Sequence, residues 1–177
     1  MQVHRTKCTG VLKNILCPHF QSVLREDIQE GPYSLLVDGA TDIAVHKQLR
    51  VCIQYFSQTA RKVITTFLMI VQLVEGTAAA VVAGIKRAIA HFGRDHQKLR
   101  GIGCDNASVN TGHEGGVHAL LKREVPHLIL VRCVCHSVQL AVSEATSTLP
   151  AHLELLINQT YAWFARSTLR QNKYKEV

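Results

Sequence analysis

The sequence lacks paired cysteines, a long apolar run and an apolar leader, and each absence excludes a class of protein. No CxxC pair occurs among its six cysteines, although structural zinc sites typically use such pairs. The longest apolar run, residues 63–74, is interrupted by Thr65, Thr66 and Gln72 and is shorter than the roughly 20 residues that a membrane span needs. The first ten residues contain no apolar stretch typical of a secretory signal. We therefore expect a soluble intracellular protein with reduced thiols.

Repeats and low-complexity segments are also absent, and 47% of the residues are hydrophobic while 19% are charged. That composition is typical of a globular domain with a core. Lysine and arginine total 20 against 13 acidic residues, for a net charge of +7. This excess favours an anionic partner such as nucleic acid, although an ordinary basic domain explains it equally well. The densest basic stretch, named here the C-terminal basic cluster, comprises Arg166, Arg170, Lys173 and Lys175.

The spacing of apolar residues predicts three consecutive strands and then alternating helices and strands. Residues 33–37 and 63–73 are apolar or β-branched runs, whereas residues 49–56 alternate between apolar and polar side chains. A helix is predicted to begin at the cap residue Thr77 and to end at Gly93. The remaining predictions are strands at residues 99–104 and 128–131, and helices at residues 117–121, through Val138 and Val142, and at residues 153–164.

This order of elements predicts an RNase H-like α/β fold with a mixed five-stranded sheet and flanking helices. The short connections between the first three strands favour antiparallel hairpins. Residues 1–30 are weakly patterned and are interpreted as an N-terminal segment with short helices. Residues 31–177 are interpreted as the core domain.

Two acidic residues occupy equivalent places in this pattern. Asp38 directly follows the first predicted strand, and Asp105 directly follows the fourth. Ligands gather at the strand ends of α/β sheets, and carboxylates are ligands that Mg²⁺ prefers. The pair therefore predicts a site for Mg²⁺ or Mn²⁺, with turn formation by Asp-Gly and Asp-Asn as the alternative. Asp42 is interpreted as a loop or cap residue.

Two stretches carry a family resemblance: PYSLLVDGATDIAVHKQLRVCIQYF, and LRGIGCDNASVNTGHEGGVHALLKREVPHLILVRCVCHSVQLA. They resemble the catalytic region of hAT-superfamily transposases, especially domesticated vertebrate derivatives described as zinc-finger or transcription-factor-like proteins. The resemblance covers residues 31–177. It implies that Asp38 and Asp105 are the first two catalytic acids and that Cys133 and His136 form the supporting CxxH motif.

The resemblance also shows departures from the family. The third catalytic acid, a Glu, follows a helical insertion that begins where this sequence stops, as does the dimerisation region. Glu144 and Glu154 are the nearest downstream acids but match no family motif. Cys8, Cys17 and His19 do not form the ligand pattern of the family's DNA-binding zinc finger. We therefore expect an incomplete core in which the two acids are vestigial.

The function predicted from this resemblance is a catalytically inert, nuclear domain with residual nucleic-acid or protein binding; a cytoplasmic location is the alternative. DNA binding is expected to be weak and non-specific, with the C-terminal basic cluster as the candidate surface because its spacing is compatible with one helical face; a solvated helix end is the alternative. Neither a membrane nor a small-molecule substrate is expected. One alternative is an active or trans-complemented metal-dependent transposase or nuclease. Another is a protein-interaction scaffold or a transposon remnant.

The remaining chemistry-bearing residues have structural interpretations. Cys133, Cys135 and His136 lack the second ligand pair of a zinc site, so Cys133 and His136 are expected to organise the site edge. A cysteine nucleophile would need a third orienting group, which the sequence does not show. Asn106, Ser108 and Asn110 are interpreted either as phosphate or water contacts or as surface-loop residues. Trp163 is expected in the core.

Overall fold

The computed structural model describes residues 5–41, 47–148 and 150–175, so Asp42 lies outside the described residues. Five strands form one sheet in the order β3-β2-β1-β4-β5. β1, β2 and β3 are antiparallel neighbours, whereas β4 and β5 run parallel to β1. The predicted mixed five-stranded α/β sheet is confirmed. The strands are β1 Tyr33–Thr41, β2 Lys47–Ser57, β3 Lys62–Leu73, β4 Leu99–Cys104 and β5 Ile129–Arg132.

Helices precede the sheet, connect its strands and follow it. A π-helical stretch, Leu12–Leu16, joins the first two helices, and a short 3₁₀ turn, His96–Lys98, precedes β4. Within the described residues, no helix has the length and apolar character to cross a membrane. The α-helices are α1 Arg5–Val11, α2 Cys17–Ile28, α3 Ala78–His91, α4 Ser108–Thr111, α5 Val117–Glu124, α6 Val134–Ser147, α7 Ala151–Ala165 and α8 Thr168–Lys175.

The chain divides into two compact units between Cys133 and Val134. The first unit contains the whole sheet together with α1 to α5, and the second contains α6 to α8. No pattern in the sequence marked this boundary. The six cysteines, which lie in both units, are all free thiols.

β1 is longer than the sequence predicts. The predicted end at residue 37 is wrong, because β1 stays paired with β2 from Tyr33 opposite Tyr55 to Thr41 opposite Lys47. Asp38 therefore lies inside the strand and forms no turn with Gly39. Pairing with a long neighbouring strand satisfies the backbone of the Asp-Gly sequence and overrides its local turn preference.

The core of the first unit lies on one face of the sheet. Leu35, Val51 and Ile53 are fully buried there, and Ile85 of α3 is equally buried. These positions follow from alternation along the strands and from helical spacing along α3. Burying each such side chain contributes about 1.5–3 kcal/mol. Core packing thus fixes which face of β1 bears the polar residues.

Both predicted ends of α3 are confirmed. The Thr77 hydroxyl accepts a hydrogen bond from the backbone N–H of Ala80 at 3.3 Å, which caps the helix. Gly93 follows the helix with a φ of 63°, a conformation that glycine adopts without strain. The helix therefore crosses from β3 towards β4 between two signals that are visible in the sequence.

The weakly patterned N-terminal residues form helices, and α2 packs on the rest of the first unit. Ile28 at its end is 3% exposed and belongs to the core. Asp27 accepts a hydrogen bond from the Tyr55 hydroxyl on β2 at 2.8 Å. Arg25 donates to the carbonyl of His91, the last residue of α3, at 2.6 Å. These contacts attach α2 to both β2 and α3.

In the second unit, α8 contacts the end of α7. The Phe164 and Tyr174 rings lie 5.3 Å apart. The Arg170 guanidinium lies 3.5 Å from the centre of the Trp163 ring and donates to the Trp163 carbonyl at 3.0 Å. Trp163 is 58% exposed, so its predicted place in the core is wrong. Its ring forms a platform for Arg170 instead.

Candidate active site

Of the two predicted catalytic acids, Asp38 lies within β1, and Asp105 directly follows the neighbouring strand β4. β1 and β4 are parallel and adjacent, and their register pairs Leu36 with Gly103. Asp38 and Asp105 each lie two residues beyond this pair, so they reach the same level of the sheet. The prediction that their strands are neighbours is confirmed. This adjacency depends on a crossover through α3, because parallel strands need such a connection.

Asp38 lies on the face of β1 opposite the core, next to a cation. β1 and β2 are in a register that places Asp38 directly across from Arg50. The Arg50 Nη1 atom lies 3.5 Å from Asp38 Oδ2, and the two side chains are 55% and 62% exposed. An ion pair this exposed contributes at most about 1 kcal/mol to stability. Its consequence is electrostatic, since a positive charge stays beside the carboxylate.

Asp105 directly follows β4, as predicted, and its carboxylate holds the next turn. Asp105 Oδ1 accepts hydrogen bonds from the Ala107 backbone N–H at 2.9 Å and from the Asn110 side-chain amide at 2.8 Å. This is the turn chemistry that the sequence left open as an alternative. Ser108 begins α4. Asn110 is thus a positioning partner of Asp105.

A cavity of about 200 Å³ lies at the carboxyl ends of β1 and β4. Its described lining residues include Asp105 but not Asp38. Asn110 and Lys47 line it too. Among the described residues, no three His, Cys, Asp or Glu side chains form a group that could hold a metal ion. A pair of carboxylates is a smaller group, so Asp38 and Asp105 as joint ligands of Mg²⁺ or Mn²⁺ stay a prediction.

The backbone of Cys133 forms hydrogen bonds with residues on both sides of Asp105. Its N–H donates to the Cys104 carbonyl at 3.0 Å, and its carbonyl accepts from the Asn106 side-chain amide at 3.4 Å. These bonds join the end of β5 to the segment that contains Asp105. Burial, together with the neighbouring Asp105 carboxylate, raises the pKa of the Cys104 thiol to about 11, which keeps that thiol neutral at physiological pH.

The other predicted site residues belong to the second unit. His136 and Cys135 lie in the first turn of α6, and Glu144 lies further along the same helix. Arg166 follows the last residue of α7, whereas Arg170, Lys173 and Lys175 lie on α8. The expectation that the C-terminal basic cluster shares one helical face is wrong, because the chain leaves the helix between Ala165 and Thr168.

Two features of the first unit were not found from the sequence. Arg50 is the partner of Asp38, and the strand register could have revealed it, because Asp38 and Arg50 each lie three residues from the paired strand ends Thr41 and Lys47. A second group, named here the basic pocket, consists of a cavity lined by Lys122, Arg123 and Arg132. Its residues come from a helix and a strand, so no local pattern indicates that they meet.

Solved structures with some likeness to this chain include endonuclease V of Ciona intestinalis in complex with a 24mer DNA containing an inosine followed by a ribo-adenosine. The sequences are 14% identical, with a TM-score of 0.38, over 66% of this chain and 56% of that one. A variant of the same enzyme with a 23mer DNA is 12% identical, with a TM-score of 0.35, over 69% of this chain and 55% of that one. This chain thus matches little more than half of each endonuclease chain.

A protein-family model described as DUF4371: ZMYM1/FAM200, RNase-like domain matches residues 6–115, which is more than half of the sequence. The matched range contains α2, the first four strands, and both Asp38 and Asp105. It begins in the N-terminal helices that the sequence pattern left indistinct, and it ends before β5. The chain therefore belongs to the ZMYM1/FAM200 RNase-like domain family.

Proposed function

We propose that this chain is an RNase H-like domain derived from a hAT-type transposase, which binds DNA in the nucleus without cleaving it. The observation that carries the proposal is that both acids, Asp38 and Asp105, already form contacts with other groups of the protein at the carboxyl ends of β1 and β4. Asp38 and Asp105 reach the same level of the sheet, two residues beyond the pair Leu36 and Gly103. Each is already engaged by groups of the protein itself.

The engagement of Asp38 works against a divalent ion. Two metal ions in such a site stabilise the attacking and leaving oxygens of the phosphate, and carboxylates must approach each ion closely. Arg50 keeps a positive charge 3.5 Å from Asp38. In water, two unit charges of the same sign about 4 Å apart repel each other by about 1 kcal/mol. The repulsion between the Arg50 guanidinium and a divalent ion at a similar distance is about twice as large. Arg50 therefore lowers the affinity of Asp38 for the metal.

The engagement of Asp105 has a different effect. Its Oδ1 atom accepts two hydrogen bonds, from Ala107 and Asn110, and so serves to close the turn before α4. A metal ligand at this position would share that oxygen with two donors or use Oδ2 alone. The two carboxylates also differ in surroundings, since Asp105 lines a cavity to which Asp38 does not contribute among the described residues.

DNA binding is supported by charge. The chain has a net charge of +7, and phosphate contacts by Lys and Arg provide most of the affinity of non-specific DNA binding. The C-terminal basic cluster remains one proposed surface, since Arg166, Lys173 and Lys175 are exposed. A DNA partner is also the reason for proposing a nuclear location.

A plasmid-nicking assay tests the absence of cleavage. We expect supercoiled plasmid to stay intact with the full chain and either Mg²⁺ or Mn²⁺, because Arg50 opposes the ion at Asp38. The matched control is Asp38→Asn, which removes the charge at constant size. Metal-dependent nicking by the parent chain that disappears in Asp38→Asn would contradict the proposal.

The second candidate function, a metal-dependent nuclease or transposase, is favoured by the adjacency of β1 and β4. The same assay distinguishes the two functions. If the parent nicks DNA, another acid substitutes for the missing one, and Glu144→Gln is the first variant to test because Glu144 is the nearest acid that follows the CxxH motif in the sequence.

A further inference from the structure

The basic pocket is a cavity of about 680 Å³ in the first unit, bordered by α5, by the segment that follows α4, and by β5. Lys122 and Arg123 lie in the last turn of α5, and Arg132 is the last residue of β5. All three side chains are exposed. The volume lies within the roughly 300–1,000 Å³ of typical ligand pockets. Its other polar lining residues are Thr111, His113, Glu114 and His118.

The positive charges of this pocket are only partly balanced by the protein. Glu114 is the one acid among its described lining residues. Glu124, the last residue of α5, forms an ion pair with Lys86 instead, whose Nζ atom lies 2.5 Å from Glu124 Oε1. Within the described parts of the chain, no carboxylate forms an ion pair with Lys122, Arg123 or Arg132. The cavity therefore has a positive potential that an anion would neutralise.

One cation is already oriented. Arg123 Nη2 donates to the backbone carbonyl of Glu114 at 2.9 Å, which fixes the guanidinium at the wall and leaves its other N–H groups to donate elsewhere. Guanidinium forks match the oxygens of a phosphate, and lysine adds a mobile point charge. The described lining includes no Phe, Tyr or Trp on which a base could stack. The chemistry suits a phosphate rather than a base.

The position of the pocket connects it with the proposed site. In the register of β4 and β5, Arg132 pairs with Cys104, the residue before Asp105. The Thr111 hydroxyl lies 3.4 Å from the Asn106 carbonyl and 3.2 Å from the Ala107 carbonyl, which anchors the pocket wall to the segment that Asp105 begins. The basic pocket is thus connected, through β5 and α4, to the residues on either side of Asp105.

We propose that the basic pocket binds the phosphate backbone of DNA through Lys122, Arg123 and Arg132. This inference rests on the proposed function and adds the surface of the first unit that contacts the strand. Binding is independent of base sequence, because the donors reach phosphate oxygens. Each neutralised phosphate releases counterions, so the contact contributes to the salt dependence of affinity.

Fluorescence anisotropy with a labelled duplex of arbitrary sequence tests this pocket, using the full chain from about 50 to about 200 mM KCl. The double variant Lys122→Gln/Arg132→Gln leaves the structural bond of Arg123 intact. The slope of the logarithm of the binding constant against the logarithm of the salt concentration, called here the log–log salt slope, should become less steep. Loss of two phosphate contacts should reduce it by about 1.8, at about 0.9 per contact. Lys13→Gln/Lys62→Gln is the matched control, because it removes the same charge from exposed residues elsewhere in the first unit.

The charge-retaining variant Lys122→Arg/Arg132→Lys should keep the parent slope, and circular dichroism with thermal melting verifies that every variant is folded. A slope reduced only in the Lys122→Gln/Arg132→Gln variant supports the pocket. Equal slopes in the pocket variant and the parent, or equal reductions in the pocket variant and the control, overturn the pocket while DNA binding stands. If the parent does not bind even at the lowest salt, the proposed DNA binding and the pocket both fail.

Discussion

Gly116 lies where the segment between α4 and α5 folds closely on itself. Its backbone N–H donates to the Gly112 carbonyl at 3.2 Å. A Cβ atom on Gly116 would lie 2.5 Å from the Gly112 nitrogen and 2.6 Å from its oxygen. Both neighbours are backbone atoms, so a side-chain movement cannot relieve the contact. The neighbouring Gly115 has open space around the same position.

We expect Gly116→Ala to destabilise the protein, because the added methyl group forces the backbone of this segment apart. Overpacking of this kind costs about 1–3 kcal/mol, which lowers the melting temperature by about 2–4 °C per kcal/mol in a chain of this size. Gly115→Ala is the matched control and should melt like the parent. Equal melting temperatures for both variants in a thermal scan would show that the close approach does not constrain the fold.

At the scale of elements, Asp27 joins α2 to the β2–β3 hairpin. Its carboxylate accepts hydrogen bonds from Tyr55 at 2.8 Å and from the Thr59 backbone N–H at 3.0 Å. Hydrogen bonding by the Ser57 hydroxyl, followed by the bonds from Thr59 and Tyr55, holds the pKa of Asp27 well below its ordinary value. The ionised form is therefore the one that attaches the helix.

This lowered pKa makes the attachment pH-dependent. A carboxyl whose folded-state pKa is depressed stabilises the protein fully above its unfolded pKa, near 3.8, and loses that contribution as pH falls towards the folded-state pKa. Asp27→Asn should therefore lower the urea midpoint at pH 7, and the difference from the parent should shrink below about pH 4. Tyr55→Phe removes one donor and should show a smaller decrease at pH 7. A difference that stays constant from neutral to acidic pH would contradict this role.

At the scale of the whole molecule, positive charge is distributed over both units. The C-terminal basic cluster spans the end of α7 and α8, and Arg170 in it is already stacked on Trp163. Arg166, Lys173 and Lys175 are the exposed cations that remain for a DNA phosphate. Changing Arg170 as well would disturb the contact between α7 and α8, so a test of binding should leave it in place.

Arg166→Ala/Lys173→Ala/Lys175→Ala should weaken binding to an arbitrary duplex, because up to three phosphate contacts are lost. The log–log salt slope should become less steep by up to about 2.7, at about 0.9 for each contact. Anisotropy titrations across a salt series measure it, beside the parent and the Lys13→Gln/Lys62→Gln control. Slopes that agree with the parent within error would exclude this cluster from the DNA interface and leave the basic pocket as the surface to pursue.

The sequence by itself determined the number and order of the five strands and the place of the helices that connect them. β4 coincides with its predicted range, and the ends of α3 follow from Thr77 and Gly93. These features are local: alternation, helical spacing and capping act over a few neighbouring residues. The order of elements was enough to predict the mixed sheet, since connection lengths and crossover rules restrict how strands are arranged.

Only the tertiary structure decided which groups meet. Strand register places Arg50 beside Asp38, and pairing with β2 extends β1 past the Asp-Gly sequence. The approach of α5 to β5 brings Lys122, Arg123 and Arg132 around one cavity. The sequence identified Asp38 and Asp105 as a pair, whereas the hydrogen bonds and charges around each acid depend on residues from other elements. Such contacts join positions distant in the chain, so no local pattern encodes them, and packing of the whole core selects them.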